Sequence, residues 1–67
     1  MFVIRDEDCE FIEYINGDTI NTTRNLKHAI ICDTIEEAKA LKQYINIANE
    51  YMELDIVEIN FKEVENV

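Results

Sequence analysis

Carboxylates dominate the side chains of this sequence that could do chemistry. The 67 residues include 15 Asp and Glu, 6 Lys and Arg, and 1 His. Five acidic residues fall close together near the start of the chain and are termed here the acidic cluster: Asp6, Glu7, Asp8, Glu10 and Glu13. Clustered carboxylates can bind Ca²⁺ or Mg²⁺, and a pair of them can transfer protons. The cluster lacks EF-hand spacing and the glycine of its sharp turn, so we expect no metal site.

Cysteine, histidine and glycine form no catalytic or cofactor-binding motif. Cys9 and Cys32 lack C-x-x-C spacing, and His28 stands at no motif-like spacing from either of them. Gly17 is the single glycine, so a glycine-rich phosphate loop cannot form. We therefore expect no catalytic residue, no cofactor and no enzyme activity. Both cysteines are expected to be reduced and structural.

The net charge of −9 restricts the class of partner. A domain this negative repels nucleic-acid phosphates and anionic membrane surfaces, so we expect no direct nucleic-acid binding. A basic protein surface would be attracted, and the acidic cluster is the predicted partner-binding site. Two interpretations follow: the acidity attracts a basic partner, or it only keeps a small protein in solution.

Length and hydropathy indicate one domain over residues 1–67. A hydrophobic fraction of 48% is typical of a globular protein and too high for a disordered chain. No apolar run exceeds four residues, the length of Ala29–Cys32, which is far too short to cross a membrane. The first eight residues have neither the basic segment nor the long apolar stretch of a signal peptide, so we expect a protein of the cytosol.

Short β-rich segments separated by turn signals predict the strands. Asn16-Gly17 favours a tight hairpin turn, because this dipeptide readily supplies positive φ angles. The register of the strand before it is ambiguous, since its apolar residues do not alternate cleanly. Residues 23–27 are predicted to form a turn or a single helical turn. The predicted strands are Phe2–Arg5, Glu10–Ile15, Thr19–Thr22, Ala29–Cys32 and Asp55–Phe61, the last with Val57, Ile59 and Phe61 facing one way.

One amphipathic helix is predicted from Ile35 to Tyr51. Either Asp33 or Thr34 can cap its first turn, because each stands three residues before a glutamate in the capping-box pattern. An apolar stripe at three- and four-residue spacing follows: Ile35, Ala38, Leu41, Ile45, Ala48 and Met52. A second stripe lies beside it: Ala40, Tyr44, Ile47 and Tyr51. This second stripe either widens the core face or supports self-association or partner docking through Tyr44, Ile47 and Tyr51.

These elements predict an α+β fold. A small, mostly antiparallel sheet of three to five short strands has one helix packed on one face, in the order β-β-(β)-β-α-β. With no second helix available, the other face of the sheet must be polar or must meet a partner.

The stretch from Asn25 to Ala38, NLKHAIICDTIEEA, resembles small phage-encoded proteins in which a short strand ends in an Asp-Thr-x-Glu-Glu-Ala helix start. The small size and the acidity also resemble phage anti-defence inhibitors, including anti-CRISPR proteins. Such proteins often block the basic nucleic-acid channel of a nuclease with carboxylates. The acids in this chain are interrupted by Lys39, Lys42 and Lys62, which argues against direct mimicry of DNA.

Residues and resemblance together predict a small acidic inhibitor that occupies a basic surface of a host nucleic-acid-handling defence complex, such as a nuclease or a ribonucleoprotein. The resemblance implies the cytoplasm of a bacterial host cell. The alternative is a non-catalytic structural or assembly domain that forms a homodimer through its helix or its open sheet face. A salt series separates the two, because acidic docking weakens with ionic strength and apolar dimerisation does not.

Overall fold

The computed structural model describes residues 1–60, in which four strands and one α-helix form an α+β fold of the predicted class. Every strand pairing is antiparallel, and the sheet order is β3-β2-β1-β4. The helix stands between β3 and β4 in the chain, so it follows the first strands and precedes the last one, as predicted. The elements are β1 (Phe2–Asp6), β2 (Phe11–Asn16), β3 (Thr19–Thr23), a single 3-10 turn (Leu26–His28), α1 (Ile35–Ala48) and β4 (Leu54–Glu58).

The start of α1 is fixed by a reciprocal pair of side-chain caps. Thr34 is the N-cap, and its Oγ1 accepts a hydrogen bond from the Glu37 N–H at 3.2 Å. Glu37 reaches back, and its Oε2 accepts from the Asp33 N–H at 3.2 Å. Of the two residues that could cap the helix, Thr34 therefore does so, and Asp33 supplies the amide that the glutamate satisfies.

The predicted end of the helix at Tyr51 is wrong, because α1 ends at Ala48. Asn49 leaves the helical conformation at φ −138° and ψ 68°, although its N–H still donates to the Ile45 carbonyl at 2.9 Å. The Asn46 side-chain amide donates to the Met52 carbonyl at 3.0 Å. Asparagine side chains offer backbone groups such local alternatives to helical hydrogen bonds, and here they hold the chain in a turn after the helix.

Apolar side chains pack on both faces of β1. Val3 and Ile4 are 0% and 1% exposed, and neighbouring residues of a strand point to opposite faces. On the helix side the buried cluster is Ile4, Ile12, Ile45 and Leu54. On the other side it is Val3, Leu26, Ala29 and Ile59. The prediction that the second face must be polar or meet a partner is therefore wrong over β1 and β4, because the chain covers it with its own 3-10 turn.

A β-bulge in β2 resolves its ambiguous register. Ile12 pairs with Thr22 and Tyr14 with Asn21, so Glu13 is the extra residue on the bulged strand. The bulge reverses the alternation, and Ile12 and Ile15 both pack on the helix side despite their odd spacing. The side chain of Tyr14 is left on the opposite face, where it is exposed.

The segment Ala29–Cys32 was predicted as a strand, but it makes only an isolated bridge. Phe2 and Cys32 exchange two backbone hydrogen bonds of 2.8 Å, and the Ile30 N–H donates to the Ile12 carbonyl at 2.9 Å. β1 and β2 pair only at Arg5 and Phe11. The segment thus fills the fork between two diverging strands and satisfies backbone groups on both, which leaves it no long run of pairing with either.

The two remaining strand predictions need small corrections. In the β2–β3 hairpin, Asn16 pairs with Thr19, so the two-residue loop is Gly17-Asp18 and not Asn16-Gly17. Gly17 has φ 60°, as the first central residue of a type II′ turn requires. The last strand was expected at Asp55–Phe61, but β4 begins at Leu54 and ends at Glu58. Val57 and Ile59 do pack on the same face, as predicted, whereas Phe61 lies outside the described residues.

Candidate functional site

The turn between β1 and β2 carries the acidic cluster, and Asp6 determines its shape. The Asp6 Oδ1 accepts hydrogen bonds from the N–H groups of Asp8 at 2.9 Å and Glu10 at 3.0 Å. The Asp6 N–H donates to the Glu10 carbonyl at 2.8 Å and closes the hairpin. Because this carboxylate is used within the turn and is partly buried, Asp6 positions the acidic cluster and is not part of its free surface.

The three-residue loop of this hairpin ends in an unusual conformation. The Cys9 N–H donates to the Asp6 carbonyl at 3.2 Å, and Cys9 itself has φ 63°. A turn followed by one left-handed residue is a common three-residue hairpin loop, but glycine normally occupies that position. Because an exposed cysteine stands here in place of glycine, the sequence does not predict a hairpin turn between β1 and β2.

Glu10 and Glu13 contact other side chains of this protein. The Glu10 Oε1 accepts from the Thr22 hydroxyl at 2.8 Å, and its Oε2 lies 4.0 Å from the Arg24 Nε. The Glu13 Oε2 lies 3.7 Å from Nδ1 of the exposed His28. Both glutamates are partly buried, and Arg24 is the permanently charged neighbour of Glu10.

Glu7 and Asp8 are the members of the cluster that point into solvent. Both are exposed, and within residues 1–60 no salt bridge joins either side chain to a basic residue. The five acidic residues therefore have different roles. Asp6 shapes the turn, Glu10 and Glu13 contact side chains of the same protein, and Glu7 and Asp8 remain available to a partner.

The second apolar stripe of α1 faces solvent. Tyr44 is 56% exposed, Ile47 is 79% exposed, and Tyr51, in the turn after the helix, is 92% exposed. Ile45, two residues before Ile47, is 1% exposed. Ile45 and Ile47 are separated by about 200° around the helix axis, so these two side chains point in nearly opposite directions. The interpretation of a single wide core face is wrong, and the predicted self-association residues are on the surface.

An open groove brings the acidic turn and the end of the helix together. It has a volume of about 530 Å³ and is lined by Glu7 and residues 47–52. Two predicted surfaces thus share one concavity: Glu7 contributes from the acidic cluster, and Ile47 and Tyr51 contribute from the second stripe. Tyr44 is not part of the lining.

Among residues 1–60, the side chains that line this groove carry negative charge. They include the carboxylates of Glu7 and Glu50 and no basic group, and the last turn of α1 contains no basic residue. The C-terminal end of a helix carries a partial negative charge, which lysine or arginine commonly offsets. Glu50 is a candidate functional residue that was not predicted from the sequence. The absence of a basic residue near the C-terminal end of the predicted helix could have pointed to it.

The groove combines carboxylates with apolar side chains, an arrangement suited to binding a cation that is attached to an apolar group. No histidine or cysteine lines it. Within residues 1–60, no group of three or more His, Cys, Asp or Glu side chains is placed to hold a metal ion. In the same part of the chain, no helix combines the length and the apolar character needed to cross a membrane.

The two cysteines lie in different environments. Cys9 is exposed and Cys32 is buried, and neither forms a disulfide. Burial raises the pKa of the Cys32 thiol, and the nearby carboxylates of Glu37 and Asp33 raise it further. Its thiol therefore stays protonated near neutral pH, as expected for a residue that packs against β1.

Comparison of the chain with family models, with curated proteins and with solved structures finds no match.

Proposed function

We propose that this protein is a non-catalytic inhibitor that binds a basic surface of a nucleic-acid-handling protein and so competes with nucleic acid. The observation that carries the proposal is the pair of exposed carboxylates, Glu7 and Asp8, on a turn whose shape is maintained by Asp6. As the resemblance implies, the target belongs to a bacterial defence complex and the protein acts in the host cytoplasm.

The net charge of −9 supports this proposal through its effect on association. Opposite charges on two proteins speed their encounter, and carboxylates on a basic surface compete with phosphates for the same lysines and arginines. A turn held by hydrogen bonds presents its charges with little loss of conformational freedom on binding.

The first test uses the immobilised protein as bait in a bacterial lysate that has been treated with nuclease. The treatment prevents capture through bridging nucleic acid. We expect the parent to retain a basic nucleic-acid-binding protein that salt elutes, and the variant Glu7→Gln/Asp8→Asn to lose it. Asp18→Asn is the matched control, because Asp18 is an exposed acid in the hairpin turn at the opposite end of β2.

The second test measures competition and rate with the captured protein. The parent is expected to displace a labelled nucleic acid from it. The double variant should associate about tenfold more slowly at low salt, with an unchanged thermal midpoint. If the captured protein keeps its nucleic acid in the presence of excess parent, or if the double variant associates as fast as the parent, the proposed function is wrong.

The exposure of Tyr44, Ile47 and Tyr51 favours a second candidate function, an assembly domain that dimerises through the helix. Light scattering over a concentration series tests it. A dimer that becomes a folded monomer when these three residues are made polar would support assembly, whereas a parent that is monomeric at high concentration would exclude it.

A further inference from the structure

We propose that the groove between the β1–β2 turn and the C-terminal end of α1 receives a segment of the partner protein in which arginine alternates with apolar side chains. This inference rests on the proposed function and specifies the contact surface. It joins Glu7 of the acidic cluster to the exposed end of the helix, two features that are far apart in the sequence.

The apolar part of the surface requires an apolar partner. Ile47 and Tyr51 are 79% and 92% exposed, and Met52, which also lines the groove, is partly buried against the core. Large apolar side chains that share one exposed patch mark interaction sites, in contrast to apolar residues scattered singly over a surface. A purely charged ligand would leave these side chains in water.

The charged part of the surface selects a cation. Glu7 and Glu50 line the groove, and the C-terminal end of α1 adds partial negative charge without a basic residue in its last turn. Arginine fits this environment best, because its guanidinium can bond a carboxylate through two parallel N–H groups and can also stack on an aromatic ring such as that of Tyr51.

Charge also argues against a second copy of this chain as the occupant. Each copy carries −9, and a two-fold interface places the same patch of both copies together. Glu7 and Glu50 of one copy would then face the same carboxylates of the other. The negative charge likewise disfavours an anionic lipid surface.

The groove is preformed. The Asn46 side chain donates to the Met52 carbonyl at 3.0 Å, and the Met52 N–H donates to the Asn49 carbonyl at 3.1 Å. These bonds hold the turn that carries Glu50 and Tyr51. A surface that is already ordered loses little conformational entropy when a ligand binds.

The test titrates the full chain with two short peptides of equal charge and follows its backbone amides by NMR. One peptide alternates leucine with arginine, and the other replaces each leucine with serine. We expect the leucine peptide to bind at least about tenfold more tightly, since buried apolar contacts supply the difference. Its largest shifts should fall on Glu7 and residues 47–52.

Two variants with matched controls locate the site. Ile47→Gln is expected to weaken the leucine peptide by about tenfold and to leave the serine peptide unchanged. Glu50→Gln should weaken both peptides. Tyr14→Ser and Asp18→Asn should change neither, because they alter an exposed tyrosine and an exposed acid outside the groove. Thermal melts of every variant check that the fold is retained.

Three results would overturn this inference: equal binding of the two peptides, no effect of Ile47→Gln, or self-association of the parent that Ile47→Gln abolishes. Equal binding of the two peptides, with chemical-shift changes confined to Glu7 and Asp8, would exclude binding in the groove but would not contradict the proposed function. The proposed function fails separately, through the competition and rate measurements on the captured protein.

Discussion

A pair of isoleucines two residues apart in α1 provides the sharpest test of the helix orientation. Ile45 is 1% exposed and packs with Ile4, Ile12 and Leu54, whereas Ile47 is 79% exposed. Ile45→Ala removes a buried side chain and leaves a cavity, so we expect a loss of about 2–5 kcal/mol in the free energy of unfolding. Ile47→Ala removes a side chain that contacts mostly water, so its effect should lie within about 0.5 kcal/mol.

The size of the domain makes this contrast easy to measure. Stability of about 0.05–0.15 kcal/mol per residue implies a total of about 3–10 kcal/mol for this chain, so Ile45→Ala removes a large part of it or all of it. Urea titrations followed by far-ultraviolet circular dichroism give both values, and an unchanged slope shows that the unfolded state is comparable.

If Ile45→Ala does not fold, Ile45→Val should still lower stability by about 0.5–1.5 kcal/mol. Leu41→Ala should cost less than Ile45→Ala, because Leu41 is only partly buried. Equal losses from Ile45→Ala and Ile47→Ala would refute the assignment of the inner and outer faces of α1.

Five further predictions follow from the turns, the cap and the cysteines. Asp6→Ala should lower the free energy of unfolding by about 1–3 kcal/mol, because the N–H groups of Asp8 and Glu10 lose their acceptor. Asp6→Asn should lower it less, since its amide oxygen can still accept hydrogen bonds. Urea titration of the two variants compares these losses. Cys9→Gly should raise stability by about 1 kcal/mol by removing the left-handed strain at φ 63°, and a lower thermal midpoint would contradict this. Thr34→Ala should cost about 1 kcal/mol through loss of the N-cap, with less helical signal near the start of α1 by amide NMR. Iodoacetamide should label Cys9 readily and Cys32 only after unfolding. The pKa of the Cys32 thiol is raised in the folded state, so the thiol of the unfolded chain ionises at a lower pH. The free energy of unfolding should therefore fall as pH rises above about 8.5. A Cys32→Ala variant should lack this part of the pH dependence.

Local signals predicted the elements well where neighbouring residues alone decide the structure. Thr34 and Glu37 cap α1 in the reciprocal pattern that their spacing indicates, and Gly17 occupies the hairpin turn at positive φ. Both features depend on hydrogen bonds or backbone angles within a few residues. The hairpin at Cys9 was missed for the same reason, because the residue that is usual in this position is glycine.

Predictions failed where distant segments compete for the same backbone groups. Ala29–Cys32 has the composition of a strand, yet it lies in the fork between β1 and β2 and bonds to both. The bulge at Glu13 follows from the need to bury Ile12 and Ile15 on one side, a requirement that exists only once the helix packs there.

The residues of this chain determined, without any structure, its charge of −9, an amphipathic helix with a capping box at Asp33 or Thr34, two apolar stripes and the crowding of five acids between Asp6 and Glu13. Only the tertiary structure decided which stripe is buried, which acids are free, and that Glu7 meets the end of α1. Periodicity shows that side chains share a face, but it does not show what that face contacts. Which stripe of the helix is buried depends on the pairing of β1 with β4. These two strands are separated in sequence by the helix and lie side by side in the sheet.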